Sequence, residues 1–442
     1  EKAVAVHGGG GKTISARGAD ARMGEGSRWT PARRALDWVL SMSTAVPIKR
    51  VNLRTPEVME EVQAAVESHY HSPMVERLRA AGGVATFGNV TVRLAKQFGF
   101  CYGVERAIDL AYAARKVFAD RNIFLVGEII HNPDVNAQLA AMGIRTLSGP
   151  CKLADIDKLS AEDVVIVPAF GAEVAVQERI KARGCQIVDT TCGDVMSVWK
   201  RVRQYANDGV TSIIHGKSDH EETRATSSRA RSTGGGGHFM VVYDLEETDF
   251  LCAYLRHGGD RAAFLDKFRG AYSEGFDPDL HLRKLGVANQ TTMLRSETEE
   301  VQRRIRAAVT ARDGAEENFR VFDTICGATQ ERQDALLDLL SQPPDLMLVV
   351  GGYNSSNTAH LADMAREKLP TYFVLNAGCL ESTQLIRHFD TRAGRETTTG
   401  DWLPAGPVSL GITAGASCPS NLIEDVLLRV LELSKVAGPA AV

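Results

Sequence analysis

The sequence lacks any apolar run approaching the roughly 20 residues that a membrane span requires. No two cysteines are separated by only two residues, which excludes a zinc ribbon and the short-spaced motif of a bacterial ferredoxin. No histidine follows His220-Glu221 at the offset of an H-E-x-x-H zinc motif. Neither sign of charge dominates: the net charge is −4 over 442 residues, so no broad basic field invites nucleic acid. Eight cysteines in so long a chain are too sparse for a disulfide-dense secreted scaffold, and reduced thiols in a cytosolic or organelle-matrix compartment fit better. What is plentiful is hydrophobic residues, at 44%, enough core for on the order of two to four domains.

Residues 1–50 are rich in Gly, Ala, Ser and Arg, with basic residues in excess. That composition suits the remnant of a plastid or mitochondrial transit peptide and equally a disordered tail. Gly8-Gly9-Gly10-Gly11-Lys12-Thr13 is only half a phosphate loop, because Val6 stands where glycine is needed. Residues 51–87 read as a helical N-terminal extension, divided at Pro73. Short apolar runs and helical periodicities then alternate, which predicts α/β layers with mostly parallel sheets. Three units of similar make-up follow: 88–192, 193–322 with an insertion near 244–283, and 323–420, with a C-terminal helix and tail at 421–442.

Three of the cysteines share a setting. Cys101 (Phe-Gly-Phe-Cys-Tyr-Gly-Val), Cys192 (Asp-Thr-Thr-Cys-Gly-Asp) and Cys326 (Asp-Thr-Ile-Cys-Gly-Ala) each close a β-like run and open a helical one. Three thiols so presented can hold a four-iron cluster and leave one iron without a protein ligand, open to substrate. The plain alternative, small buried hydrophobes, suits Cys151, Cys185, Cys252, Cys379 and Cys418.

Other polar groups also fall at predicted strand ends, where open α/β sheets place ligands. His131 is one. His220-Glu221-Glu222-Thr223 sets two carboxylates beside an imidazole, a source of protons or simply an acidic helix start. Asn354-Ser355-Ser356-Asn357 and Thr413-Ala414-Gly415-Ala416-Ser417 could cradle phosphate at helix N-termini, or merely cap the helices. With His131 and His220, these donors would converge on an anionic group for which a diphosphate fits.

Taken together, these residues resemble the 4-hydroxy-3-methylbut-2-enyl diphosphate reductase family, plant and cyanobacterial branch. The resemblance runs from about Gly88 to Leu433 and includes Gly-Phe-Cys-Tyr-Gly-Val-Glu-Arg-Ala at 99–107 and Glu-Ile-Ile-His-Asn-Pro at 128–133. It continues with His-Gly-Lys-Ser-Asp-His-Glu-Glu-Thr at 215–223, Ala-Asn-Gln-Thr-Thr-Met at 288–293 and Asp-Thr-Ile-Cys-Gly-Ala-Thr-Gln-Glu-Arg-Gln at 323–333. The chain departs from the family at Gly193, where proline is usual, and at Cys418, where alanine or threonine is expected. Phe170 stands where the wider bacterial family carries histidine.

The resemblance implies three α/β units around a central [4Fe–4S] cluster, one per chain, held by Cys101, Cys192 and Cys326. It implies a diphosphate held by His131, His220, Gln290, Ser355, Ser356, Asn357 and Ser417, and protons relayed by Glu222 with Thr291. The expected partners are an allylic diphosphate and a ferredoxin-type or other low-potential electron donor. The expected compartment is the plastid stroma, with bacterial cytoplasm as the alternative. The oligomeric state stays open, since the N-terminal helix could pack within the chain or on a partner. Two other readings also remain at this point: another three-cysteine cluster enzyme, quinolinate synthase-like or a hydro-lyase, and a non-catalytic electron-transfer protein.

Overall fold

The computed structural model describes residues 51–149, 151–230 and 236–436. The expected tail at 1–50, with its half phosphate loop, lies outside the described residues, as does the end of the chain from 437. The expected alternation of strand and helix is present, in three sheets. Val164–Val167 and Leu346–Val350 are unbroken apolar runs with every residue buried, the signature of parallel strands covered on both faces.

The first sheet has the order Ile144–Leu147, Ile123–Val126, Val164–Val167, Gln186–Asp189, all parallel. The second has the order Phe319–Val321, Leu285–Asn289, Thr211–His215, Phe239–Val242, also all parallel. The third has seven strands: Val84–Phe87, Val90–Leu94, Val408–Ala414, Leu346–Val350, Thr371–Val374, Leu385–Asp390 and Arg395–Gly400. Its centre is parallel and both edges are antiparallel.

Sequence order and sheet order part company at residues 90–94. Grouped by sequence with the first unit, this strand instead pairs with Val408–Ala414 in the third sheet, from Val90↔Val408 to Leu94↔Ile412. The cause is its alternation: Val90, Val92 and Leu94 face inward and share a core with Leu410, Ile412 and Leu348. The 244–283 stretch is helical, as Leu245–His257, Arg261–Lys267 and Pro278–His281. Its Leu251, Phe264 and Phe268 are part of the second sheet's core.

The N-terminal extension divides where expected but is not helical to residue 87, because Val84–Phe87 is a strand paired antiparallel with Val90–Leu94. Pro56–Tyr70 ends, Ser72 Oγ accepts from Val75 N at 3.0 Å, and Pro73–Ala80 begins with proline where no N–H is needed. Val62 and Tyr70 pack with Ala107, Ile108 and Ala111 of helix Tyr102–Val117, so this extension is seated on its own chain. No helix of the described residues is long and apolar enough to cross a membrane.

Candidate active site

The carboxyl ends of strands from all three sheets feed one cavity. Its walls include Cys101, Cys192, Cys326, His131, His220, Glu222, Thr291, Ser355, Asn357 and Ser417. Every one was expected at the site from sequence. Gln290 and Ser356 lie just behind it. The Gln290 amide is filled by protein: Oε1 accepts from Lys217 N at 3.1 Å and Thr223 Oγ1 at 3.0 Å, and Nε2 donates to Thr292 Oγ1 at 2.7 Å and Ser356 Oγ at 3.3 Å. Gln290 thus knits the loops that line the cavity.

Each cysteine is the N-cap of a helix: Cys101 of Tyr102–Val117, Cys192 of Gly193–Asn207 and Cys326 of Gly327–Leu340. All three have extended backbone, and none spends its sulfur on a capping hydrogen bond. Their helix N-termini favour negative charge at the sulfurs. Backbone bonds tie two of them to the loop after the adjacent strand of the same sheet: Cys101 N donates to Ala416 O at 3.3 Å and Cys192 N to Ala169 O at 2.8 Å. Burial pushes the Cys192 thiol up, against the N–H groups of Asp194 and Val195. Burial and the Asp194 carboxylate push Cys326 up to about 12.

Cys192 and Cys326 therefore need a cation beside them to become thiolates together. A soft iron–sulfur group fits this donor set. Gly103 leaves the room for it: a Cβ there would come within 2.5 Å of Cys192 Sγ and 3.9 Å of Cys101 Sγ.

Opposite the cysteines, polar groups point inward without partners. His220 Nδ1 accepts from Glu222 N at 3.1 Å, which puts the ring proton on Nε2. That Nε2 is buried and unpaired, and burial holds the ring neutral, at about 3. His131 Nδ1 meets Glu128 Oε2 at 3.1 Å, while its buried Nε2 has no hydrogen-bond partner and lies 4.0 Å from Glu221 Oε2. Although burial opposes it, the His131 ring and the Asn354 amide (2.8 Å) hold the Glu128 carboxyl below its usual range. Asn357 Oδ1 accepts from Ala416 N at 3.0 Å, leaving Nδ2 as a third buried, unpaired group. Ser417 Oγ reaches His131 O at 3.2 Å and Ser355 Oγ at 3.5 Å, joining the two hydroxyl-bearing turns.

Glu222 is buried between these two sets. Thr291 N donates to its Oε1 at 2.6 Å and Thr291 Oγ1 to its Oε2 at 2.9 Å. Burial outweighs both hydrogen bonds and raises the carboxyl to about 7, where it can hold and release a proton at neutral pH.

Phe170 lies flat on His131, with ring centroids 4.7 Å apart and planes 9° from parallel, so it fixes the imidazole that it cannot supplement. Cys418 belongs to the core of the seven-stranded sheet, although Ser417 beside it lines the cavity. Glu128 and Asp194 are among the groups that the sequence motifs did not reveal. Glu128 orients His131 from three residues upstream, a spacing visible in Glu-Ile-Ile-His. Asp194 lines the cavity from the position after the unusual Gly193 and accepts from Cys326 Sγ at 3.0 Å.

The LytB protein family matches residues 92–431. The chain is 46% identical over 389 residues to a 4-hydroxy-3-methylbut-2-enyl diphosphate reductase of Gloeobacter violaceus, covering 86% of this chain and 92% of that one. It is 45% identical over 382 residues to the reductase of the same name from Thermosynechococcus vestitus, covering 86% and 93%. Among solved structures, an E-1-hydroxy-2-methyl-but-2-enyl-4-diphosphate reductase from Plasmodium falciparum shares the fold, with a TM-score of 0.55 at 20% identity over 77% of this chain and 87% of that one. By the extent of the family match and the identity to its cyanobacterial relatives, the chain belongs to the LytB protein family.

Proposed function

We propose that the chain is a 4-hydroxy-3-methylbut-2-enyl diphosphate reductase of the methylerythritol phosphate route to isoprenoids. The reaction takes two electrons and two protons, breaks the C4–O bond of the allylic alcohol, releases water, and forms isopentenyl or dimethylallyl diphosphate. The observation that carries this reading is the pairing of two halves in one cavity. Three N-cap cysteines face His131 Nε2, His220 Nε2 and Asn357 Nδ2, all buried and without a hydrogen-bond partner. A non-catalytic electron carrier has no use for those groups, or for a buried carboxyl raised to about 7.

Cys101, Cys192 and Cys326 would hold a [4Fe–4S] cluster with one iron free of protein ligands. When bound, it supplies electrons and a Lewis acid. The chain's own residues do the rest. His220 offers its Nε2–H, and Asn357 its Nδ2–H, to the diphosphate oxygens. Glu128 accepts from His131 Nδ1 and fixes the ring so that its Nε2 faces the same anion. Ser355 and Ser417 donate from their helix-capping turns, and Ser356 is held in register by Gln290. Glu222 stores a proton at a carboxyl oxygen, and Thr291 keeps that carboxyl aimed. Phe170, Ile130 and Val195 keep water from the reacting end of the cavity.

The composition of residues 1–50 supports a plastid setting with a ferredoxin-type donor, while kinship to cyanobacterial proteins fits a bacterial one. Bacterial cytoplasm is the alternative, and imaging a tagged full-length precursor decides between them. The activity is tested by anaerobic reconstitution with iron and sulfide, then turnover of the hydroxylated allylic diphosphate with a reduced dye. A chain that takes up the cluster but does not turn over this substrate sinks the proposal.

A further inference from the structure

Each cysteine-led helix also reaches the segment carrying the next cysteine. From the helix after Cys101, Arg106 Nη1 donates to Thr191 O at 3.2 Å, one residue ahead of Cys192. From the helix after Cys192, Asp194 Oδ2 accepts from Cys326 Sγ at 3.0 Å. From the helix after Cys326, Arg332 Nη2 donates to Gly99 O at 2.6 Å, two residues ahead of Cys101. The three contacts close a ring around the sulfurs.

Arg332 is the buried member of that ring, 3% exposed. Its Nη1 donates to Ala328 O at 2.7 Å, so one planar group bridges the first turn of the Cys326 helix and the Cys101 loop. Gly99 turns its carbonyl toward this group from a φ of +84°, a conformation that favours glycine. Among the described residues Arg332 forms no salt bridge with a carboxylate. Burial pushes its guanidinium below the usual range, opposed by Cys101, Cys326 and then Glu331, and the Glu105 carboxylate also couples to it. A buried guanidinium is costly without nearby negative charge, and thiolates at Cys101 and Cys326 would add to the charge of Glu331 and Glu105.

We propose that Arg332 is a positioning residue of the cluster seat. It locks the Cys101 loop to the Cys326 helix and sets a fixed positive charge behind both sulfurs. That charge favours the more negative, reduced form of the group they hold and raises its reduction potential. The inference rests on the cluster reading above.

The test uses the full chain, reconstituted anaerobically, as wild type, Arg332→Met and Arg332→Lys. It follows iron release to a chelator and a redox titration read by electron paramagnetic resonance. Arg332→Met is expected to release iron at least tenfold faster. At a fixed potential its oxidised-to-reduced ratio should rise about tenfold, a shift of about 59 mV for one electron. Arg332→Lys keeps the charge but not the fork, so its potential should stay near wild type while iron is lost faster. An Arg332→Met protein equal to wild type in both readouts overturns the inference. If Arg332→Met does not fold, Arg332→Lys decides alone, and iron release at the wild-type rate overturns it. A wild-type chain that takes up no cluster refutes the cluster reading instead.

Discussion

Replacing Glu222 by glutamine isolates one proton. The amide has the carboxyl's shape, can still accept Thr291 N–H through Oε1, and can donate from Nε2 to Thr291 Oγ1, so the loops should stay in place. What disappears is a group able to give up a proton near neutral pH. A positioned general acid contributes about 10²- to 10⁴-fold, so turnover should fall by that factor while iron content and substrate binding persist. The same residue marks stability. Raising the carboxyl from 4.5 to about 7 is worth about 3 kcal/mol at about 1.4 kcal/mol per pKa unit. Because the folded value lies above the unfolded one, this stabilisation is complete below about pH 4.5 and disappears as pH rises through about 7. The glutamine variant should lack that dependence, gaining on wild type by about 3 kcal/mol across the window. The assays are dye-linked turnover against pH and denaturant unfolding at pH 4.5 and 8.5. Normal turnover, or an unchanged alkaline fall in the variant's rate, would refute the proton role.

His220→Ala removes a buried donor, and a hydrogen bond to a charged group is worth about 1.5–3 kcal/mol, so KM for the diphosphate should rise about 10- to 150-fold. An unchanged KM in steady-state kinetics would contradict its placement. Gly103→Ala puts a methyl 2.5 Å from Cys192 Sγ, so it should cut iron uptake while leaving the circular dichroism spectrum intact; wild-type iron content would count against the shared seat. Cys192→Ser should abolish stable cluster formation, whereas Cys185→Ala, in the core of the first sheet, should not. Equal iron content in the two proteins would remove the distinction drawn between the cysteines.

Much of the interior was legible because parallel strands advertise themselves. Val164–Val167, Leu346–Val350 and Leu285–Asn289 are apolar runs that end where the functional residues begin. The hairpin Leu385–Asp390 and Arg395–Gly400 was not, because at the sheet's edge its residues are largely half-exposed or polar. Strand Ile144–Leu147 is another edge strand, buried only at its two ends. Among site residues, those with reactive or phosphate-binding chemistry could be named from motifs. Arg332, Arg106 and Asp194 could not, since Arg332 meets Gly99 across 233 positions of sequence and nothing local signals the pairing. Gln290 shows the converse limit: its type fits a ligand contact, but four protein groups have claimed its amide.

The seating of strand Val90–Leu94 against Val408–Ala414 has a consequence for the order of events during synthesis. Until residues 408–414 have left the ribosome, the hairpin Val84–Leu94 has no sheet to join, and a lone two-stranded hairpin is barely stable in water. Cys101 hangs from that hairpin's far end, and its own N–H is anchored to Ala416. The nascent chain therefore presents Cys192 and Cys326 while their third companion still lacks its berth. On the proposed cluster reading, iron and sulfide are delivered to a finished polypeptide, and a truncation before the last strand should yield a protein that takes up no cluster.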